Sequence, residues 1–259
     1  MLEIKAARKI FYKGQADEKI ALNDLSLHLE TGEFGIVIGS NGAGKSSMLN
    51  AISGALQLDS GQIIINGHDV SAIPVHKRAL RLARVFQDPM RGTAASMTVA
   101  ENMLLAELRS SKRSFRKGLN AKRIAAYKDR LALLRLGLED RLETRVELLS
   151  GGQRQSLSLI MAVGGSPDVL LLDEHTAALD PRTADIVMQA TIRAVSALKL
   201  TTLMVTHNMQ HAVDFGHRIL MLNAGRLHLE IVGDQKAQTS ISDLINHFSV
   251  KSDHMLLAS

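Results

Sequence analysis

Apolar and polar positions alternate from Ala21 to Leu29 before the Thr31-Gly32 turn, and a period of two predicts a half-buried strand. The first forty residues read throughout as strands separated by turns, so a β-rich edge opens the chain. A short apolar run from Phe34 to Ile38 ends at a glycine-rich turn, and Ser46-Ser47-Met48-Leu49-Asn50-Ala51-Ile52 follows as a helix. Further strands are predicted at Gln62 to Ile65, Leu82 to Phe86, Val169 to Leu172, Thr201 to Val205 and Ile219 to Leu222, with helical patterns between several of them. That alternation predicts a largely parallel sheet covered by helices. Between about Asp88 and Gly165 the strand signals vanish. There Ile124, Tyr127, Leu131, Leu134 and Leu138 recur at helical spacing with Gly137 as a stop, which predicts a helical insertion. Asn223-Ala224-Gly225 separates two strand-like runs and predicts a hairpin, Asp243 to Phe248 reads as a short helix, and Lys251 to Ser259 is expected to fray.

The organisation expected is one domain over residues 1–259, with a β edge and sheet core in 1–87 and 166–259 and a helical subdomain in 88–165. Apolar residues make up 46% and charged residues 22%, enough to bury a sheet and contrary to disorder. There is no cysteine, which excludes a thiolate nucleophile, a thiolate metal site and a disulfide framework. Runs such as Val169-Leu170-Leu171-Leu172 are far below the roughly 20 apolar residues that cross a bilayer, and the start Met1-Leu2-Glu3-Ile4-Lys5 lacks a secretory pattern, so a cytoplasmic place is expected. The formal charge of +5 reports solubility and weak long-range attraction; no nucleic-acid partner is expected from it.

Gly39-Ser40-Asn41-Gly42-Ala43-Gly44-Lys45-Ser46, continued by Ser47, has the phosphate-loop spacing and lies between a predicted strand and helix. Glycines let the backbone wrap phosphate oxygens, N–H groups and the helix start attract negative charge, Lys45 adds a cation, and Ser46 offers its hydroxyl to Mg²⁺. Downstream, Val169-Leu170-Leu171-Leu172-Asp173-Glu174 is an apolar strand ending in two acids at the sheet edge where nucleotide sites form, the Walker B pattern. Asp173 suits the Mg²⁺ site, and Glu174 suits proton abstraction from an attacking water.

Leu149-Ser150-Gly151-Gly152-Gln153, between these two motifs, matches the signature of the ABC transporter ATP-binding subunits, and here the chain resembles that family. Gln87 in Arg84-Val85-Phe86-Gln87-Asp88-Pro89 resembles the Q-loop, Ala178-Leu179-Asp180 the D-loop, and His207 in Val205-Thr206-His207-Asn208 the switch histidine. The resemblance covers nearly the whole chain. It implies an α/β ABC-ATPase fold, with a RecA-like, mainly parallel sheet, an antiparallel β edge and an inserted helical subdomain. It implies ATP and Mg²⁺ as cofactors, with Ser46, Gln87 and Asp173 at the metal and Glu174, His207, Lys45 and Gln87 in catalysis. In the family, Ser150 and its glycines meet the γ-phosphate held by the opposite subunit and Asp180 orders the dimer interface.

Phe11 aligns with the aromatic that stacks on adenine, with Tyr12 as the rival. A homodimer is implied, beside a multi-span permease on the inner face of the membrane and, through it, an extracytoplasmic solute-binding protein. The longer matching stretches resemble a subgroup of uptake systems, some associated with aromatic amino acids. An exporter, or an accessory ATPase of a soluble assembly, stands as the alternative.

His175 stands where the family usually has proline, and Ala177 where a small polar residue is common. Gly35, inside the strand that enters the phosphate loop, is expected to loosen local packing. Arg109, Lys112, Arg113, Arg116, Lys117, Lys122 and Arg123 form a basic cluster, read as a solvated face in preference to a lipid or permease contact. Met90, Met97 and Met103 either face the permease or pack the helical core.

Overall fold

The computed structural model describes residues 1–109 and 118–247. Lys112, Arg113, Arg116 and Lys117 of the basic cluster, Phe248 and the 251–259 tail lie outside them. The chain begins with β1 (Leu2–Phe11) and β2 (Lys19–Leu29), then β3 (Phe34–Gly39) and α1 (Lys45–Ser53). Next come β4 (Ser60–Ile65), β5 (His68–Asp69), the single turn α2 (Val75–Arg78) and β6 (Leu82–Val85). Helices α3 (Val99–Leu108), α4 (Ala121–Ala132) and α5 (Gly151–Val163) precede β7 (Val169–Asp173). The chain continues through α6 (Pro181–Leu198), β8 (Thr201–Val205), α7 (Met209–Asp214), β9 (Arg218–Asn223), β10 (Arg226–Val232) and α8 (Gly233–Gln238), and residues 241–247 are helical.

Two sheets result. One is four-stranded and antiparallel in the order β2-β1-β4-β5; the other is six-stranded in the order β10-β9-β3-β8-β7-β6. Within the second, β6, β7, β8, β3 and β9 are parallel and β10 returns antiparallel, closing the hairpin at Ala224 and Gly225, both at positive φ.

Because side chains alternate along a strand, the parallel sheet divides two cores. Ile36, Ile38, Leu170, Leu172, Met204 and Met221 face the helices of α3 to α6, whereas Val37, Leu171, Leu203, Val205 and Leu220 face α1 and the antiparallel sheet. Strands buried on both faces read as continuous apolar runs, which is why β7 stands out in the sequence, while β8 adds two buried threonines before Leu203-Met204-Val205.

Helix starts follow local chemistry. Thr98 and Glu101 form a reciprocal capping box on α3, Ser150 and Gln153 another on α5, and the Asp180 carboxylate accepts from the Thr183 N–H at α6. Gly35 does not loosen its surroundings: it is buried, and a Cβ there would stand 2.8 Å from the Leu29 side chain, so that leucine fills the space a larger residue would need. Of the three methionines, Met103 is buried in the helical core, Met97 is partly covered and Met90 is exposed. Within the basic cluster, Arg123 pairs with Glu107 and Arg109 donates to the Ala162 carbonyl, so these two are tied to the fold.

Candidate functional site

The four adjacent strands β3, β8, β7 and β6 end side by side, and their carboxyl ends deliver Gly39, Thr206-His207, Asp173-Glu174 and Phe86-Gln87. Such an edge is where open α/β sheets bind ligands. Leaving β3, the chain loops through residues 40–44 and enters α1 at Lys45, so the first N–H groups of that helix point into the loop.

Only glycine fits the last loop position. Gly44 has φ of 102°, and a Cβ there would lie 2.6 Å from the Ala21 carbonyl oxygen and 3.2 Å from the Gly225 Cα. The β9–β10 turn braces the loop from behind: the Gly225 N–H donates to the Ala43 carbonyl, and its own carbonyl accepts from Asn23.

Lys45 is folded back across this cradle. Its ammonium donates to the Gly39 carbonyl at 2.7 Å and the Ser40 carbonyl at 3.0 Å, and burial pushes its pKa below the ordinary lysine value, with Glu174 opposing the shift. The loop thus holds its own cation among carbonyl and amide dipoles, an arrangement that suits an anionic ligand able to draw the ammonium outward. A cavity of 210 Å³ opens above, lined by Phe11, Lys19, Ala21, Asn41, Gly42, Ala43, Gly44, Lys45, Ser46, Ser47, Glu174 and His207.

Glu174 sits at φ of 47°, uncommon for a residue with a side chain, and is fixed by donation of its N–H to the Val205 carbonyl. Its carboxylate lies 2.6 Å from the His207 Nε2, so an acid and an imidazole meet at the rim. A carboxylate held beside a phosphate cradle can accept a proton from water, and the imidazole can orient it.

Asp173 does not line the cavity; its carboxylate is held by Arg84 at 2.5 Å. Gln87 is exposed and also stands outside the lining. Ser150, Gly151, Gly152, Gln153 and Asp180 lie elsewhere. A Cβ on Gly152 would meet the Thr183 methyl at 2.5 Å, and one on Gly151 would meet Leu179 at 3.2 Å, so the signature glycines pack against the loop that begins α6. Hydrogen bonds from Thr183 hold the Asp180 carboxyl below the usual carboxylate range.

Phe11 lines the cavity, whereas Tyr12 is outside the lining and 60% exposed. Three neighbours of the site escape motif reading. Lys19, paired across the strands with Phe11, and Ala21 belong to the alternating pattern of β2, and Arg84 interrupts an apolar strand. The interruption at Arg84 was a usable signal.

A glycine cradle with an indwelling lysine, set before a strand that ends in two acids, defines a phosphate-loop nucleotide hydrolase. The model of the family "ABC transporter" matches residues 22–177, more than half of the chain. A "Tyrosine transport ATP-binding protein" of Clostridioides difficile (strain R20291) is 42% identical over 253 residues, covering 96% of this chain and 98% of that protein. A "Methionine import ATP-binding protein MetN" of Vibrio cholerae is 34% identical over 232 residues; the match covers 88% of this chain and 64% of that longer protein. Among solved structures, the dimeric post-hydrolysis state of the cassette MJ0796, bound to ADP and Pi, superimposes with a TM-score of 0.75 at 27% identity, covering 90% of this chain and 98% of that one. The chain therefore belongs to the ABC transporter family, as an ATP-binding and ATP-hydrolysing subunit. No helix among the described residues is long and apolar enough to cross a membrane.

Proposed function

We propose that this chain is the motor of an importer: two copies close on ATP and Mg²⁺, hydrolyse the nucleotide and reopen, driving a separate multi-span permease from the inner face of the membrane. The observation that carries the reading is a division of labour within one chain. The cradle, Glu174 and His207 share a cavity, while Ser150 and its glycines lie against the start of α6 and line no part of it. A serine-capped helix start is suited to an anion, and a second copy can bring it to the phosphates held by the first. The dimeric cassette with ADP and Pi supports this arrangement.

In this scheme the phosphates draw Lys45 off the Gly39 and Ser40 carbonyls, and the loop amides take the remaining charge. Phe11 would stack on the adenine, and the Ser46 hydroxyl, the Asp173 carboxylate and the Gln87 side chain would be the groups to hold Mg²⁺. Mg²⁺ supplies charge neutralisation at the phosphates when bound. Glu174 accepts the proton of the attacking water, and His207 holds Glu174 and the γ-phosphate end of the site. Asp180 orders the dimer interface.

Residues 88–165 act as one helical subdomain against 1–87 and 166–259. The cleft between them, 410 Å³ and lined by Phe86, Arg91, Asn102 and Met161 among others, receives the permease; Met90, which precedes Arg91 in the chain, is exposed and outside the lining. The names of the relatives support uptake of an amino acid, aromatic by the 42% identical one, with selection of the solute left to the permease and an extracytoplasmic binding protein.

The test mixes two damaged subunits. A Lys45→Ala chain and a Ser150→Arg chain each form homodimers with both sites impaired, whereas their heterodimer keeps one composite site with neither lesion. Partial ATPase activity is expected to reappear on mixing; verified heterodimers without any hydrolysis would refute the shared site.

A further inference from the structure

Arg84 lies on β6 with its side chain 13% exposed and its guanidinium between Asp173 at the end of β7 and Asn50 on α1. One nitrogen donates to Asp173 Oδ2 at 2.5 Å, the other to Asn50 Oδ1 at 2.7 Å, and Nε is buried without a partner. Asn50 follows Ser46 by four residues on α1, so it stands one turn below the serine on the same helix face. The guanidinium carbon is 5.0 Å from the Phe86 ring centroid, and the side chain also borders the cleft between sheet and helices. Arg84 opens the Q-loop stretch that carries Gln87, but the motif assigns it no role.

The Asp173 carboxylate that ends β7 is half-buried, and the Arg84 guanidinium beside it supplies the opposite charge such a position favours. The same contact opposes a divalent ion, because a fixed positive charge beside Asp173 repels Mg²⁺ and occupies one of the two oxygens. We propose that Arg84 is a positioning residue acting as a built-in counter-cation. It neutralises Asp173 in the nucleotide-free state, makes metal binding conditional on nucleotide phosphates, and yields the carboxylate when Mg²⁺ arrives with them. The inference rests on the assignment of Asp173 to the metal.

The test titrates Mg²⁺ against a fluorescent ATP analogue bound to the full chain, with a zero-metal point in chelator, and needs no hydrolysis. Arg84→Gln, which keeps a hydrogen-bond donor and loses the charge, is expected to lower the Mg²⁺ concentration at half-saturation by about 10-fold. Arg84→Lys, which keeps the charge, is expected to stay within about twofold of the parent. Affinity in chelator is expected to change less than the metal requirement in both. Asp173→Asn separates the two layers of the argument. If it leaves the metal requirement unchanged, the assignment of Asp173 fails and the inference falls with it. If it raises the requirement while Arg84→Gln leaves it unchanged or higher, the counter-cation alone is refuted; so too if Arg84→Lys behaves like Arg84→Gln. Should Arg84→Gln not fold, the parent protein still answers. Rotation of the Arg84 guanidinium about its Nε–Cζ bond, followed by NMR, is expected to be slow without metal and faster when Mg²⁺ joins bound nucleotide. Unchanged rotation would overturn the proposal.

Discussion

Acidification acts on a buried imidazole that follows Glu174 in the chain. His175 is 2% exposed, its Nε2 lies 3.0 Å from the Thr191 hydroxyl, and burial pushes its pKa down to about 4, with the neighbouring His211 adding to the shift. An unfolded chain restores the ordinary value of about 6.5. Above that value neither state binds a proton here, and stability is unaffected. Between about 6.5 and about 4 the unfolded state takes the proton while the folded state refuses it, so stability falls as pH falls; below about 4 both are protonated and the slope vanishes. At about 1.4 kcal/mol per pH unit, the full span costs about 3 kcal/mol. Against the roughly 5–15 kcal/mol that holds a typical domain, such a loss is substantial. Urea unfolding at about pH 7 and about pH 4.5, compared between the parent and His175→Gln, isolates this group, since glutamine reaches the same hydroxyl and does not titrate. The parent is expected to lose about 2–3 kcal/mol more than the variant over that interval. Equal losses would show that His175 is not held neutral, and the reasoning would fail.

Three further outcomes follow from the geometry. Glu174→Gln should bind ATP and slow its hydrolysis by about 10² to 10⁴-fold, trapping a nucleotide-bound dimer visible by gel filtration; turnover at the parental rate would remove Glu174 as the base. Arg78 is buried and donates to the carbonyls of Ala51 and Ile52 at the end of α1 and to those of Ser71 and Ile73. Arg78→Met should therefore lower stability by about 3–5 kcal/mol in urea unfolding, as expected when several buried acceptors lose a charged donor. Gly44→Ala drives a Cβ to 2.6 Å from the Ala21 carbonyl, whereas Gly42→Ala meets open space at a similar left-handed φ. By titration of a fluorescent ATP analogue, the first should lose at least about 10-fold in affinity and the second less.

The parts legible in the sequence were those written in local pattern. Leu203 to Val205 and the run ending at Asp173 are apolar on both faces because helices and a second sheet cover both sides. The phosphate loop was legible because its spacing is tied to a strand before and a helix after. Spatial order was not legible: that β3 lies between β8 and β9, and that the β9–β10 turn reaches back to hydrogen-bond Ala43, depends on contacts between residues far apart in the chain.

Charged residues inside elements were the hardest to read, because a single polar position within an apolar run has no periodic partner to explain it. Arg84 interrupts the apolar run of β6, and Arg78 ends the basic turn His76-Lys77-Arg78. In the fold each is a cation placed where negative charge or dipole accumulates: Arg78 at the carbonyl end of α1, and Arg84 beside the carboxylate that ends β7. The helix that starts at the nucleotide cradle is thus bounded by charge at both ends, by Lys45 among loop carbonyls and by Arg78 beneath its last turn. Arg84 joins the middle of that helix, through Asn50, to the end of β7. Under the proposal, a ligand that draws Lys45 outward and takes Asp173 from Arg84 would disturb two of the three cations placed around α1, while the Arg78 contacts could remain. On the proposed assignment of Asp173 to the metal, these hydrogen bonds would couple nucleotide and metal to the packing of α1.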